Sequence, residues 1–254
     1  MDDLHLAVQL YTLREHLKTP ERIEATLRRV RGLGYRSVQV SGVGPIRPER
    51  LQAIVTELGL SICATHTPFE RLRNDLPAVI EEHRLWDCRH VGLGAMPQEY
   101  RGSREGLRRF AADVAPIART LREAGLRFVY HNHHFEFERF DGVSGMEYLL
   151  ESTDPQDFGF LLDTYWVQAA GADPAAWVRR VAGRMDVVHL KDMAVVGGQA
   201  VFAEVGSGNL DWDGILAACR ETGVTWYAVE QDDCIGDPFE SVAKSRAYLA
   251  KRFR

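Results

Sequence analysis

The chain has 254 residues, of which 45% are apolar and 26% are charged, and its formal net charge is −5 at pH 7. This composition is that of an ordinary globular protein. The negative charge argues against a dedicated nucleic-acid-binding protein, which usually carries a basic surface. No run approaches about 18 apolar residues, so we expect neither a membrane span nor a membrane partner.

Cysteine usage and the N-terminus indicate the compartment. The four cysteines are scattered and form no CxxC pair, which excludes a zinc knuckle and a disulfide framework. The N-terminus is acidic and lacks the apolar core of a signal peptide. We therefore expect a cytoplasmic protein.

Short apolar runs alternate with helical patterns along the chain. In the first helix, Thr19 is the predicted cap, Pro20 occupies the first turn and Gly34 follows the end. Eight strands are predicted, over residues 4–10, 35–40, 60–66, 89–94, 126–129, 158–162, 186–190 and 225–229. Eight helices are predicted, over about residues 19–31, 48–58, 75–85, 103–124, 145–152, from 173 onwards, 211–222 and from 237 to the C-terminus. A small hairpin arm is predicted at residues 199–202.

This alternation favours parallel strands joined by right-handed crossovers. Eight units within 254 residues predict an α/β fold of the (β/α)8 TIM-barrel type. An open doubly wound sheet would require a glycine-rich phosphate loop after an early strand, and the sequence contains none. No Pro/Ser-rich linker divides the chain, so residues 1–254 are interpreted as a single TIM-barrel domain.

The most informative stretch is residues 130–137, Tyr-His-Asn-His-His-Phe-Glu-Phe, at the end of the fifth strand. It places His131, His133, His134 and Glu136 within six residues. Imidazole and carboxylate are ligands of borderline divalent cations, and core packing would not select so many of them. The alternative is a solvated polar loop, although such loops favour Gly, Asn, Asp, Ser and Pro.

Three other strands also end in a ligand-type residue, namely Asp163, His189 and Glu230. The carboxyl ends of all strands of a parallel barrel meet on one face, so these side chains should converge with Glu136. Taken alone, each of these residues could equally well be a cap of the next turn or a packed core residue. The set of four is oxygen-rich and predicts one divalent cation, Mn²⁺ or Mg²⁺ before Co²⁺ or Zn²⁺.

Further polar groups at strand ends are candidates for contact with a substrate. His66 ends the third strand, and Trp166 follows Asp163 closely enough to face a sugar, although it could equally pack in the core. Strand alternation places Lys191 on the same face as His189, where it could stabilise a developing oxyanion. Gly206 and Gly208 are interpreted as turn residues, because no phosphate-loop motif surrounds them.

Five motifs together resemble the xylose isomerase-like TIM-barrel superfamily, and within it the sugar phosphate isomerase/epimerase branch. They lie at residues 9–14, 130–137, 162–166, 188–192 and 206–211, so the resemblance covers nearly the whole chain. The resemblance implies one catalytic metal, with Glu136, Asp163, His189 and Glu230 at the ligand positions. It also places Gln9 and His131 among the substrate-binding residues.

One departure from the family pattern concerns the first ligand. The ketose-epimerase members carry their first glutamate within the fifth strand. Here Glu136 comes later in the sequence, and the strand itself leads into His131 and His133. Either histidine is therefore a substitute for Glu136 as the first ligand.

The function predicted from these features is that of a metal-dependent isomerase or epimerase acting on a small hydroxy-carbonyl sugar or cyclitol through an enediolate. Glu136, Glu230, His133 or His66 would move the proton. Elimination by a keto-sugar or inosose dehydratase would use the same site. An endonuclease IV-like phosphodiesterase and a sugar-binding barrel without turnover are two competing hypotheses. The sequence leaves open whether the chain forms a homo-oligomer.

Overall fold

The computed structural model describes residues 5–252 and contains a barrel of eight parallel strands. The strands are β1 His5–Gln9, β2 Ser37–Val40, β3 Ser61–Thr65, β4 His90–Leu93, β5 Arg127–His131, β6 Phe158–Leu161, β7 Val187–Leu190 and β8 Trp226–Val229. Hydrogen-bonded neighbours follow the order β6-β5-β4-β3-β2-β1-β8-β7. A parallel bridge between Asp163 and His189 joins the two end strands. The predicted TIM barrel is confirmed.

Helices fill the connections between these strands. They are α1 Pro20–Gly32, α2 Pro48–Glu57, α3 Phe69–Asn74, α4 Leu76–Leu85, α5 Arg104–Glu123, α6 Gly145–Ser152, α7 Thr164–Ala169, α8 Pro174–Arg180, α9 Trp212–Thr222 and α10 Pro238–Arg252. Three short 3₁₀ segments cover Leu10–His16, Gln98–Tyr100 and Phe135–Phe137. The predicted helices are present. The additional α3 and α7 have six residues each, too few to show a helical period in the sequence.

The cap predicted for α1 is present, since the Thr19 side chain accepts from the Arg22 backbone N–H. The predicted hairpin arm is longer than residues 199–202, because Asp192–Val196 pairs in antiparallel fashion with Gln199–Ala203. No helix within residues 5–252 is both long and apolar enough to cross a membrane. The predicted first residue of β1, Leu4, and the last two residues of the chain lie outside the described range.

Small apolar side chains fill the centre of the barrel. They come from six of the eight strands and form one buried cluster: Ala7, Cys63, Ala64, Val129, Leu161, Val187 and Ala228. Side chains two positions apart on a strand share a face, so the next layer towards the carboxyl ends is fixed by this one. That next layer is polar and buried, and consists of Gln9, His131, Asp163, His189 and Glu230.

Strands β3 and β4 approach closely at Gly92. A Cβ atom at this position would lie 2.1 Å from the Thr65 carbonyl oxygen, a distance no real Cβ tolerates. We expect Gly92→Ala to lower the free energy of unfolding by about 2–4 kcal/mol, because backbone must move to relieve the overlap. Urea denaturation followed by circular dichroism measures the loss.

Gly32, in the last turn of α1, is the matched control for this substitution. A Cβ there would meet nothing within 4 Å. Gly32→Ala should therefore leave stability unchanged or raise it by up to about 1 kcal/mol, since alanine is the better helix former. Equal denaturation midpoints for Gly92→Ala and the wild type would contradict the close approach of β3 and β4.

Candidate active site

Four side chains converge at the carboxyl end of the barrel. His131 ends β5, Asp163 follows β6 by two residues, His189 lies in β7 and Glu230 directly follows β8. One ligand-type atom from each lies within 4.8 Å of the others, and all four residues are buried. Because they come from four strands, only closure of the barrel brings them together.

The hydrogen bonds of His189 fix which ring nitrogen faces the cluster. Its Nε2 lies 2.6 Å from Gln39 Oε1, and a carbonyl oxygen can only accept, so Nε2 carries the proton. The Nδ1 lone pair then points at Glu230 Oε2, 3.0 Å away. Burial lowers the pKa of His189, which keeps the ring neutral and the lone pair available.

His131 is oriented in a similar way by the backbone. Its Nδ1–H donates to the Gly94 carbonyl oxygen at 2.8 Å, which leaves Nε2 directed at Asp163 Oδ2, 3.3 Å away. Burial opposes protonation of this ring, but the hydrogen bond to Asp163 and the charge of Glu230 outweigh burial and raise the pKa of His131. Either a proton or a metal ion can therefore occupy the space at Nε2.

Each of the two carboxylates uses one oxygen for support and presents the other to the cluster. Asp163 Oδ1 accepts from the Trp166 backbone N–H at 3.1 Å and so caps α7. Glu230 Oε1 accepts from Gln9 Nε2 at 2.6 Å. Asp163 Oδ2 and Glu230 Oε2 remain directed at the two imidazoles.

The Lys191 ammonium lies among the carboxylates and is fully buried. Its Nζ is 2.9 Å from Asp163 Oδ2, 2.8 Å from Glu230 Oε2 and 2.7 Å from Asp232 Oδ2. Burial disfavours the charged form, but the three carboxylates outweigh it and raise the pKa of Lys191. Burial likewise opposes ionisation of Glu230, whose pKa is nevertheless held well below its usual range by Lys191 and the adjacent imidazoles.

The donor set fits a divalent cation in charge and in spacing. Three carboxylates and one ammonium leave two negative charges unbalanced when the imidazoles are neutral. His189 Nδ1 is a buried acceptor without a hydrogen-bond partner, yet it lies only 3.0 Å from a second acceptor, Glu230 Oε2, which Lys191 Nζ contacts at 2.8 Å. Neighbouring ligand atoms of an octahedral ion with bonds of about 2.1 Å lie about 3 Å apart. A cation would remove both the charge excess and this repulsion.

Glu136 lies outside the cluster. Its carboxylate accepts from the Tyr130 hydroxyl and from the His133 backbone N–H, and so both oxygens are used. Burial raises the pKa of Glu136 to about 6, against the opposing effect of these hydrogen bonds. The structure therefore places Glu136 as a support for the chain at His133, and His131 occupies the position in the cluster that the sequence assigned to Glu136.

His133 and His66 border a cavity of about 600 Å³ beside the cluster, and the cavity also reaches His131 and Glu230. Each has one buried ring nitrogen without a hydrogen-bond partner, Nδ1 of His133 and Nε2 of His66. Burial, followed by the charge of His131, lowers the pKa of His133 to about 2, and burial lowers that of His66 as well. Both rings are therefore neutral and can accept a hydrogen bond.

Trp166 packs its ring near His133, with centroids 5.3 Å apart, and Lys191 Nζ lies 5.5 Å from its centroid. The rings of His131 and His133 are also in contact, with centroids 4.8 Å apart.

Three residues with roles in this site were missed from the sequence. Gln39 orients His189, and the Asn132 side chain accepts from the Asp163 backbone N–H at 3.0 Å. Asp232 binds Lys191 and lines the cavity. A signal existed for Asp232, because it follows Glu230 by two residues and the alternation rule that located Lys191 applies equally. A glutamine or asparagine at a strand end carries no comparable signal.

Comparison with known proteins supports this architecture. Inosose dehydratase of Lacticaseibacillus casei is 28% identical over 159 residues, which cover 56% of this chain and 53% of that protein. Inosose dehydratase of Geobacillus thermodenitrificans is 30% identical over 147 residues, covering 50% and 48%. The chain thus spans about half the length of the curated relatives it matches.

A solved structure of a sugar phosphate isomerase/epimerase from Parabacteroides distasonis has the same fold, with a TM-score of 0.84 at 23% identity, covering 98% of this chain and 94% of that chain. The model of the xylose isomerase-like TIM barrel family matches residues 27–252. That match spans nearly all of the barrel, and the chain belongs to the xylose isomerase-like TIM barrel family.

Proposed function

We propose that this protein is a metal-dependent isomerase or epimerase acting on a hydroxy-carbonyl sugar or cyclitol. The observation that carries the proposal is the approach of two buried acceptors, His189 Nδ1 and Glu230 Oε2, to 3.0 Å, in a site whose three carboxylates and one ammonium leave two negative charges when the imidazoles are neutral. A cavity of about 600 Å³ adjoins that cluster and is large enough for a sugar.

The residues proposed to hold the metal are His131, Asp163, His189 and Glu230. This set has two imidazoles and two carboxylates, where the sequence prediction had one imidazole and three carboxylates. Imidazole suits Mn²⁺, Co²⁺ and Zn²⁺ better than Mg²⁺. We therefore favour Mn²⁺ over Mg²⁺, with Co²⁺ and Zn²⁺ as further candidates. When bound, the cation would act as a Lewis acid on adjacent carbonyl and hydroxyl oxygens.

The remaining polar groups supply proton transfer and charge stabilisation. A base must take the proton from the carbon next to the carbonyl, and His133 and Asp232 both line the cavity outside the ligand set. His133 is neutral and its backbone is held by Glu136, but burial lowers the pKa of its ring, whereas burial raises the pKa of Asp232 and makes that carboxylate the stronger base of the two. Lys191 keeps a positive charge beside Asp232, where it would stabilise the oxygen of the enediolate that forms.

The carbon and the face that receive the returning proton decide the product of the reaction. Return to the opposite face of the same carbon epimerises the substrate, and return to the neighbouring carbon isomerises it. Loss of a β-hydroxyl group instead gives dehydration. The identity to inosose dehydratases, 28–30% over about half of each protein, supports dehydration as the second candidate. All three reactions share the first proton removal.

Solvent exchange tests this shared step directly. The metal-loaded enzyme is incubated in D₂O with ketopentoses, ketohexoses, inososes and 3-ketoglucosides, and proton NMR follows the hydrogens next to each carbonyl. We expect enzyme-dependent exchange in at least one class, with the product showing which reaction follows. Absence of exchange in every class would reject the proposed function.

Loss of a carboxylate ligand should remove the metal and preserve the fold. We expect Asp163→Ala and Glu230→Ala each to lower metal affinity by about 100-fold or more, since even outer partners of ligands typically contribute 10–100-fold. Mass spectrometry of metal content measures this, with about one ion per wild-type chain. Two or three ions per chain would instead favour the phosphodiesterase hypothesis.

Removal of the metal by a chelator should abolish turnover and leave the circular dichroism spectrum unchanged, because the barrel core requires no metal.

Metal content also identifies which residue is the first metal ligand. We expect His131→Ala to lose the metal, whereas Glu136→Ala and His133→Ala retain it, because only His131 contributes a nitrogen to the cluster. Retention by His131→Ala together with loss from Glu136→Ala would restore the sequence-based assignment. Loss from His133→Ala with retention by both His131→Ala and Glu136→Ala would assign His133 as the ligand.

His133 and Lys191 should affect turnover more than metal binding. We expect His133→Ala and Lys191→Met to keep stoichiometric metal and to lose roughly 10²-fold or more in rate, the usual scale for an acid–base or oxyanion group. Asp233→Asn is the control, because its side chain is exposed and lies outside the cluster. Wild-type rates in both test variants would remove these residues from the mechanism.

A further inference from the structure

The loop after β7 is one of two places where TIM barrels commonly bind phosphate. Here its donors already hold a carboxylate of the chain. Asp192 Oδ2 accepts from the backbone N–H groups of Gly206 and Gly208, at 2.8 and 3.0 Å, and from Trp212 Nε1 at 2.6 Å. The Asp192 side chain is fully buried. An internal anion therefore fills the position that a phosphate would need.

The loop after β8 is the other common phosphate position, and here it is acidic. Glu230, Asp232 and Asp233 fall within four residues. The first two line the cavity, and Asp232 also binds Lys191. A phosphate monoester carries about −1.5 to −2 charges at pH 7, so this loop would repel it.

The mouth of the cavity is also acidic. Glu70 and Glu99 line it from the connections after β3 and β4, and both are exposed. Among the described residues that line the cavity there is no lysine or arginine. Sites that bind phosphate usually present Arg, Lys or free backbone N–H groups.

Three cations near the cavity are already engaged by other groups of the chain. Lys191 contacts three carboxylates. Arg14 donates to the Asp232 carbonyl oxygen at 2.6 Å and lies 3.3 Å from Asp233 Oδ1. Arg101 donates to the Met96 carbonyl oxygen and stacks over the Phe135 ring, 3.9 Å from its centroid. A divalent cation would only neutralise the two excess charges of the cluster, so loading the metal would add no net positive charge that could attract a dianion.

We propose that the substrate of this site carries no phosphate group and is an uncharged sugar or cyclitol. This inference rests on the proposed function and narrows its substrate class. It separates the chain from sugar phosphates, which the name of the Parabacteroides distasonis protein mentions. Recognition would rely on hydroxyl groups that bind the neutral imidazoles of His66 and His133, whose buried nitrogens have no partner.

Matched pairs of compounds test the proposal with the metal-loaded enzyme in the deuterium-exchange assay. The pairs are D-xylulose and its 5-phosphate, D-ribulose and its 5-phosphate, D-fructose and its 6-phosphate, and 3-ketoglucose and its 6-phosphate. We expect the neutral member of the reactive pair to exchange at least about tenfold faster at low substrate concentration. A phosphorylated member that exchanges as fast or faster overturns this inference and leaves the proposed function standing. No exchange with any of these compounds or with the inososes overturns both.

A charge variant shows whether the acidic mouth is the cause. Glu70→Gln/Glu99→Gln should raise kcat/KM for the phosphorylated member relative to its neutral partner by roughly threefold to tenfold at low salt, and less at high salt. Glu123→Gln/Glu151→Gln is the control, with the same change in net charge near the carboxyl ends of α5 and α6. An unchanged ratio in the first variant, or an equal change in the control, would contradict the proposed role of the mouth.

Discussion

The contact of the Lys191 ammonium with three carboxylates is the interaction on which the upper end of the barrel depends. A fully buried ammonium is very costly without compensation, and so are buried carboxylates. Here Asp163, Glu230 and Asp232 compensate Lys191 at 2.7–2.9 Å. The four groups therefore have to be ordered together, which fixes the directions of the oxygens that also face the two imidazoles.

The same residues close the barrel. Strands β6 and β7 meet through the bridge between Asp163 and His189, and the His189 backbone N–H donates to the Leu162 carbonyl oxygen at 2.8 Å. Thr164 continues this seam, because its hydroxyl accepts from the Lys191 backbone N–H and donates to the Lys191 carbonyl oxygen. The contacts that close the barrel thus also position Asp163, His189 and Lys191 in the site.

The alternation of side chains along each strand explains how much of the site could be predicted from the sequence. Alternation located Asp163, His189, Glu230 and Lys191, because strand ends in a closed barrel must converge. The first member of the cluster was left open between Glu136, His131 and His133, since the choice depends on where β5 ends and how the chain then turns into the 3₁₀ segment Phe135–Phe137. The glycine loop was expected to form turns, but the Asp192 carboxylate that it encloses could be found only from three-dimensional contacts.

The position of Glu136 has a consequence for the charge of the site. With Glu136 in the cluster in place of His131, four carboxylates and one ammonium would leave three negative charges, one more than a divalent cation neutralises. With His131 there, two remain, and the balance with a divalent cation is complete. Glu136 is instead buried against Tyr130 and the His133 backbone, where burial raises its pKa to about 6 and the hydrogen bonds still compensate its charge. With a divalent cation bound, the cluster would be electrically neutral beside an acidic mouth, which would suit a polyol, recognised through hydrogen bonds, better than an anion.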